Sequence, residues 1–179
     1  MFRNPKDVNG KTMVKSSVVR SVRTKLIEVY PTIESSLDEI LPKKATLVLA
    51  KTKERISLYL VDGNVLFFQH FDDQLIPSLR ILHQFPNILP KVQVDRGAIK
   101  FVLSGANIMC PGLTSPGAWL PEEPLPVGSI VAVMAEGKEH ALAIGITKMS
   151  TDEMKSLNKG IGVDLIHFLG DPLWRSSID

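Results

Sequence analysis

Val94-Asp95-Arg96-Gly97-Ala98-Ile99-Lys100-Phe101-Val102-Leu103-Ser104-Gly105-Ala106-Asn107-Ile108-Met109-Cys110-Pro111-Gly112 is the stretch on which the fold assignment turns. Asp95 can cap a helix running to about Ser104, which Gly105 closes. On a helical wheel Ala98, Ile99, Val102 and Leu103 share an apolar sector. Arg96, Lys100 and Ser104, four apart, form a polar stripe with Gly97 beside it. Asn107–Met109 reads as a strand turned by Pro111-Gly112. Glycines at 97 and 105 remove side-chain bulk, so another backbone can come close. A cationic stripe flanked by bare glycine suits a sugar-phosphate backbone, which needs charge, amide donors and steric access together. A surface helix with two solvated cations and a glycine cap accounts for the same residues equally well.

Toward the carboxyl terminus the texture is of short strands and turns. Val92–Val94 is a short strand, and residues 113–128, with Pro116, Pro121, Pro124 and Pro126, form a loop. Ser129–Ala135 and His140–Met149 are strands joined around Gly137-Lys138. Ser150-Thr151-Asp152-Glu153 is a capping box in which Ser150 and Glu153 satisfy each other's backbone donors. That helix ends near Gly160, and Val163–Leu169 is a last strand before Gly170-Asp171-Pro172. Such a pattern predicts a compact barrel with short helices.

Toward the amino terminus, Phe85-Pro86 and Leu89-Pro90 mark a joint between domains 1–90 and 91–179. Residues 14–30 read as an amphipathic helix with Val14, Val18, Val22, Leu26 and Val29 on one face and Arg20 and Arg23 away from it. Thr32 can cap a short helix with Ile33, Leu37, Ile40 and Leu41 inward, stopped at Pro42. Thr46–Ala50, Arg55–Val61 and Val65–Phe71 read as strands, the last two joined by Asp62-Gly63. A helix begins near Pro77. Phe67-Phe68 sends one ring to each face of its strand, where core packing competes with partner contact. The class is therefore α+β: an amino-terminal α/β domain with a small antiparallel sheet, followed by a barrel with short helices.

The 179 residues are 44% apolar and 22% charged, which excludes a largely disordered chain, a collagen-like repeat and a coiled coil. No apolar run approaches the roughly 18–20 residues that span a bilayer, so no membrane partner is expected. Met1–Asp7 lacks the apolar core of a signal peptide. The single cysteine, Cys110, cannot form an internal disulfide and favours a reducing compartment. The simplest assignment is cytoplasmic. Net charge is +2, unevenly spread: residues 1–55 carry 12 Lys/Arg against 6 Asp/Glu, and residues 91–179 carry 8 against 10. A basic amino-terminal third attracts phosphates at long range, whereas any RNA site after residue 90 must be a local patch.

Catalytic signatures are missing. There is no Gly-x-x-x-x-Gly-Lys phosphate loop and no Gly-x-Ser-x-Gly elbow. His70, His83, His140 and His167 have no ligand spacing, and one cysteine cannot build a zinc cluster, so no metal and no cofactor are expected. Cys110 reads as a small packing residue. An RNA-modifying active site hidden in residues 1–90 would have to draw on His70, His83, Asp62, Asp72 and Asp73, whose acids lie in turns and suit hairpin chemistry.

Val92-x-Val-Asp-Arg-Gly-Ala through Val102-Leu-Ser-Gly-Ala-Asn and Pro111-Gly112 resembles the opening of a PUA domain, a small pseudo-β-barrel that binds structured RNA. Gly128-Ser-Ile-Val-Ala-Val133, Ala141-Leu-Ala-Ile-Gly145, Lys148-Met149-Ser150, Gly160-Ile-Gly162 and Leu169-Gly-Asp-Pro-Leu-Trp174 continue the pattern. With Phe67-Phe68, Pro77–His83 and Thr114-Ser115-Pro116-Gly117-Ala118, the whole chain resembles the malignant T-cell-amplified-sequence family. Its fungal members are translation machinery-associated PUA proteins, and it is similar to the amino-terminal part of ligatin. The resemblance implies a translation factor without catalysis that pairs with density-regulated protein on the small ribosomal subunit. There it promotes release of deacylated tRNA, subunit recycling and reinitiation. It puts the PUA face (Arg96, Gly97, Lys100, Ser104, Gly105, Ala106, Asn107, Pro111, Gly112) toward the tRNA acceptor end, and the amino-terminal domain on ribosomal RNA or the partner. Arg20, Arg23, Lys25, Lys43 and Lys44 are the candidates for that second contact. Ser115, before Pro116, is a candidate phosphorylation site. The alternative is a PUA-type accessory protein in ribosomal or transfer RNA maturation.

Overall fold

Ile56, Leu58 and Leu60 are buried and alternate with half-buried Ser57 and Tyr59, the signature of a strand with one face packed. In the computed structural model, which describes residues 8–71 and 73–176, this strand is the centre of a five-stranded antiparallel sheet. The readings placed on Met1–Asp7 and on Asp72 lie outside the described residues. Strands run in the order β1 (Val8–Met13), β2 (Val48–Thr52), β3 (Ile56–Val61), β4 (Asn64–His70), β5 (Ile76–Pro77). Asp62 and Gly63 both adopt positive φ, 50° and 76°, as a two-residue hairpin turn matched to strand twist requires. β2 lies two residues beyond the expected Thr46–Ala50, after a turn in which Ala45 N–H donates to Pro42 O. Phe67 and Phe68 are both buried, so this pair is core.

Helix α1 (Ser16–Val29) packs through Val19, Val22 and Leu26, followed by buried Tyr30. Val18 and Val29 are exposed and Val14 precedes the helix, so the inward stripe is rotated from the expected one and shares only Val22 and Leu26 with it. The buried set follows the i, i+3, i+7 spacing of a core-facing stripe from an entry at Ser16. Burial pushes the Tyr30 hydroxyl up to about 12; it stays protonated and donates to Leu75 O. After it a 3-10 helix (Pro31–Ser36) leads into α2 (Leu37–Ile40), burying Ile33, Leu37, Ile40 and Leu41 as expected. Thr32 is not the cap; its hydroxyl donates to Asn87 O, 3.2 Å away. Helix α3 spans Leu79–Gln84 and is capped by Ser78, whose Oγ accepts from Ile81 N. Pro77 is not in its first turn, since it pairs with Phe67 in the sheet.

The described residues divide into two compact units. One runs to Ile88 and takes in Arg175; the other is Leu89–Trp174. The second is built on a mixed sheet ordered β6 (Lys91–Val94), β8 (Ile130–Ala135), β9 (Ala143–Thr147), β10 (Ile161–Phe168), β7 (Ile108–Met109). Only β6 and β8 are parallel. Around it lie a 3-10 turn (Arg96–Ala98), α4 (Ile99–Leu103), α5 (Pro111–Thr114), α6 (Thr151–Leu157) and α7 (Pro172–Arg175). Val92, Val94, Val102, Cys110, Val131, Val133, Met154 and Val163 form its core. A Cβ on Gly145 would run into Val163 and lie 2.7 Å from Asp164 O, so β9 and β10 close only over glycine.

Three expectations change in this unit. Pro111-Gly112 opens a helix instead of a turn, with proline at the first helical position where its missing N–H costs nothing. Helix α6 ends on left-handed Asn158, two residues before Gly160. Ser150 Oγ accepts from Glu153 N, 3.1 Å away, but the Glu153 carboxylate takes the Ser150 hydroxyl at 3.2 Å instead of its backbone donor.

Candidate nucleic-acid interface

β6 delivers the chain to Asp95, whose carboxylate starts the next helix. Its Oδ1 accepts from Ala98 N at 2.9 Å and its Oδ2 accepts from the Ser115 hydroxyl. The helix closes at Ser104, whose hydroxyl donates to Phe101 O at 2.7 Å. Gly105 then reverses the chain at φ +90° over the edge of the Phe168 ring. Asn107 is partly structural: its Oδ1 accepts from Leu165 N at 2.9 Å, where the register of β10 against β9 shifts. Gly112 sits against Ala98, and its carbonyl accepts from Asp95 N.

The structure brings the sequence-derived face together. Arg96, Gly97, Lys100, Ser104, Gly105, Ala106, Asn107 and Pro111 are exposed and Gly112 is half-buried. Beside them lies a groove of about 760 Å³ whose lining is mainly apolar. Gly97, Phe101, Asn107, Met109, Pro111 and Ile161 are among its walls, while Arg96, Lys100 and Ser104 are not. Phe101 is 57% exposed and Met109 49%. Leu103, assigned to the inward sector, is also exposed, and of that sector only Val102 is fully buried. A five-residue α-helix resting on β10 by one side has room for a single core residue.

Phe101, Met109 and Ile161 are the functional candidates that sequence reasoning missed. Phe101 follows Gly97 by four, one turn along the same face. An aromatic on the open side of a helix was the available signal. Ile161 pairs with Met109 only through the fold. Lys100 Nζ lies over the Phe101 ring, 5.1 Å from its centroid, so the cation and the exposed aromatic are in contact on this face.

The helix start does not offer its amides freely. Arg96 N donates to Glu136 Oε2 at 2.7 Å and Ala98 N to Asp95 Oδ1 at 2.9 Å, so two of its donors are held by carboxylates. The Arg96 and Lys100 side chains are the exposed cations of this face. Burial pushes the Cys110 thiol up, and its sulfur contacts Met149 Sδ at 3.5 Å, which suits a packing residue and not a thiolate nucleophile.

On the amino-terminal unit Arg20, Lys25, Lys43 and Lys44 are exposed. Arg23 differs: its side chain is 12% exposed and donates to Asp38 Oδ1 at 2.6 Å, to Leu37 O and to Leu41 O. It ties α1 to α2 and is not a free cation. Asp62 sits at the turn of the β3–β4 hairpin and His70 at its far end, where His70 Nδ1 lies 3.5 Å from Asp73 Oδ2. Among the described residues no three His, Cys, Asp or Glu are placed to hold a metal ion, and no helix is long and apolar enough to cross a membrane.

Residues 2–86 match the Pre-PUA-like domain and residues 90–169 the PUA domain. The chain is 58% identical over 174 residues to translation machinery-associated protein 20 of Saccharomyces cerevisiae, spanning 97% of this chain and 96% of that protein. It is 49% identical over 174 residues to malignant T-cell-amplified sequence 1 of Rattus norvegicus, spanning 97% and 94%. A crystal structure of a hypothetical protein from Pyrococcus horikoshii superposes with a TM-score of 0.75 at 27% identity, covering 94% of this chain and 99% of that one.

Proposed function

Because this chain belongs to the family of Pre-PUA-like and PUA proteins that includes translation machinery-associated protein 20 and malignant T-cell-amplified sequence 1, we propose that it is a non-catalytic translation factor of the cytoplasm. With density-regulated protein it binds the small ribosomal subunit and promotes release of deacylated tRNA, post-termination recycling and reinitiation. The observation that carries this reading is the apolar groove beside two cations on the PUA unit. Single-stranded RNA offers flat, unstacked bases between regularly spaced phosphates, and proteins grip it by stacking plus cationic contact. A base of the acceptor end enters the groove against Phe101, and the flanking phosphates meet Arg96 and Lys100. Exposed Gly97, Gly105 and Ala106 let the sugar-phosphate chain come close.

No bond is broken in this scheme; the protein shifts a binding equilibrium. The carboxy-terminal half carries 8 basic against 10 acidic residues, so its affinity for RNA alone is low, and the ribosome supplies effective concentration. Arg20, Lys25, Lys43 and Lys44 provide the second contact, to ribosomal RNA or the partner. Ser115 is the candidate switch. A phosphate there cannot keep the hydroxyl's bond to Asp95, and it adds about two negative charges beside that carboxylate and the RNA path.

The test mixes the purified chain and density-regulated protein with small subunits carrying labelled deacylated tRNA. The reading expects co-sedimentation with the subunit and release of the label. Binding confined to precursor particles, with no release, would favour the RNA-maturation role.

A further inference from the structure

Arg96 is held at both ends by one short turn of chain. Its backbone N–H donates to Glu136 Oε2 at 2.7 Å, and its guanidinium lies over Gly137, where a Cβ would stand 2.8 Å from Nη2. The Glu136 carboxylate in turn occupies the space above Gly117; a Cβ there would overlap it, with Oε1 at 2.6 Å. Glu136 and Gly117 are both tied to β6. Glu136 N donates to Val94 O at 3.0 Å, and Gln93 Nε2 donates to Gly117 O at 2.8 Å. Gly117 and Gly137 both have positive φ, so the backbone there already favours glycine. Among the described residues the Arg96 guanidinium makes no ion pair, which leaves its donors open to a ligand.

We propose that Glu136, Gly117 and Gly137 form a cradle that sets where the Arg96 guanidinium stands, which makes them positioning residues of the RNA-binding face. A free arginine side chain loses much rotamer entropy on binding, and one already laid along a fixed backbone loses less. The carboxylate holds the residue by its amide, and the bare glycine gives the guanidinium a shelf at the end of its reach. An acid beside an RNA-binding cation otherwise works against affinity; here it is turned onto the main chain and capped by Gly117. The proposal rests on Arg96 being part of the RNA face.

The experiment measures binding of a fluorescent acceptor-stem RNA ending in single-stranded CCA with a free 3′-hydroxyl. It uses the full chain and reads the Arg96 Nε–Hε signal by NMR in parallel. In Gly137→Ala the added methyl meets only the tip of a flexible side chain, so the arginine moves and the fold stays. Gly137→Asn, which tolerates left-handed backbone better, controls for turn strain. Both variants should bind about fivefold more weakly, the scale of one lost ordinary hydrogen bond, since the guanidinium is displaced and not removed. Both should shift the Arg96 signal and cause no further loss in an Arg96→Ala background. Glu136→Gln keeps an acceptor and should bind within about twofold of wild type, whereas Glu136→Ala should match Gly137→Ala. Equal losses with and without Arg96, or an unmoved Arg96 signal, overturn the cradle alone. Wild-type affinity in Arg96→Ala overturns the RNA face itself, and the cradle's role with it.

Discussion

Arg20 and Arg23 stand three residues apart on one helix, yet only one of them is a surface charge. Arg23 donates to Leu41 O just past the end of α2, where a helix leaves acceptors without partners, and to Leu37 O, which also accepts from Leu41 N. Its ion pair with Asp38, which is 79% exposed, adds little. Arg23→Ala should therefore lower stability by about 1–2 kcal/mol in urea unfolding, while Arg20→Ala stays within about 0.5 kcal/mol. Sequence alone hides this difference, because Leu37, Asp38 and Leu41 reach Arg23 only across an intervening turn. Asp171 is a second such residue. Burial works against its ionisation, but the His167 ring at 2.7 Å and the amides of Trp174 and Phe168 outweigh that and hold its carboxyl below the usual carboxylate value. A carboxyl lowered by folding gives stability that is present above its unfolded value, near 3.9, and is lost as pH falls through the folded one. Acid unfolding below about pH 4 should thus be shallower in Asp171→Asn than in wild type. A superposable pair of pH–stability curves would contradict this.

At the scale of elements, legibility followed pattern strength. The β3–turn–β4 hairpin was read because apolar alternation and Asp62-Gly63 both point to it. β1 escaped, since five of its six residues are exposed and leave no alternation to detect. β5 is two residues long and contains Pro77, and α5 hides behind a Pro-Gly pair that resembles a turn. In α4 the cap, the cationic stripe and the glycine stop were legible, but the inward sector was drawn too wide. The exposed ring this left unremarked makes a direct prediction. Phe101→Ala should weaken binding of single-stranded acceptor-end RNA by about 1–3 kcal/mol, the range for one stacked base. The melting temperature should barely move, because the ring is mostly in solvent. A large drop in melting temperature with unchanged affinity would return Phe101 to the core.

The two-part architecture of the whole chain was legible from the prolines at 86 and 90 and from the change of texture after them. The groove was not, because residues 95–115 meet Ile161 there only when β7 pairs with β10. Charge follows the same division: a basic surplus before residue 56 and a slight acidic excess after 90. The most direct test is Arg96→Glu combined with Lys100→Glu in a release assay with density-regulated protein and small subunits. The pair should keep the wild-type melting temperature and lose tRNA release. The log–log salt slope of RNA binding should fall by about 1.4, the value for two phosphate contacts on a single strand. Release at the wild-type rate by a folded double variant would contradict the account.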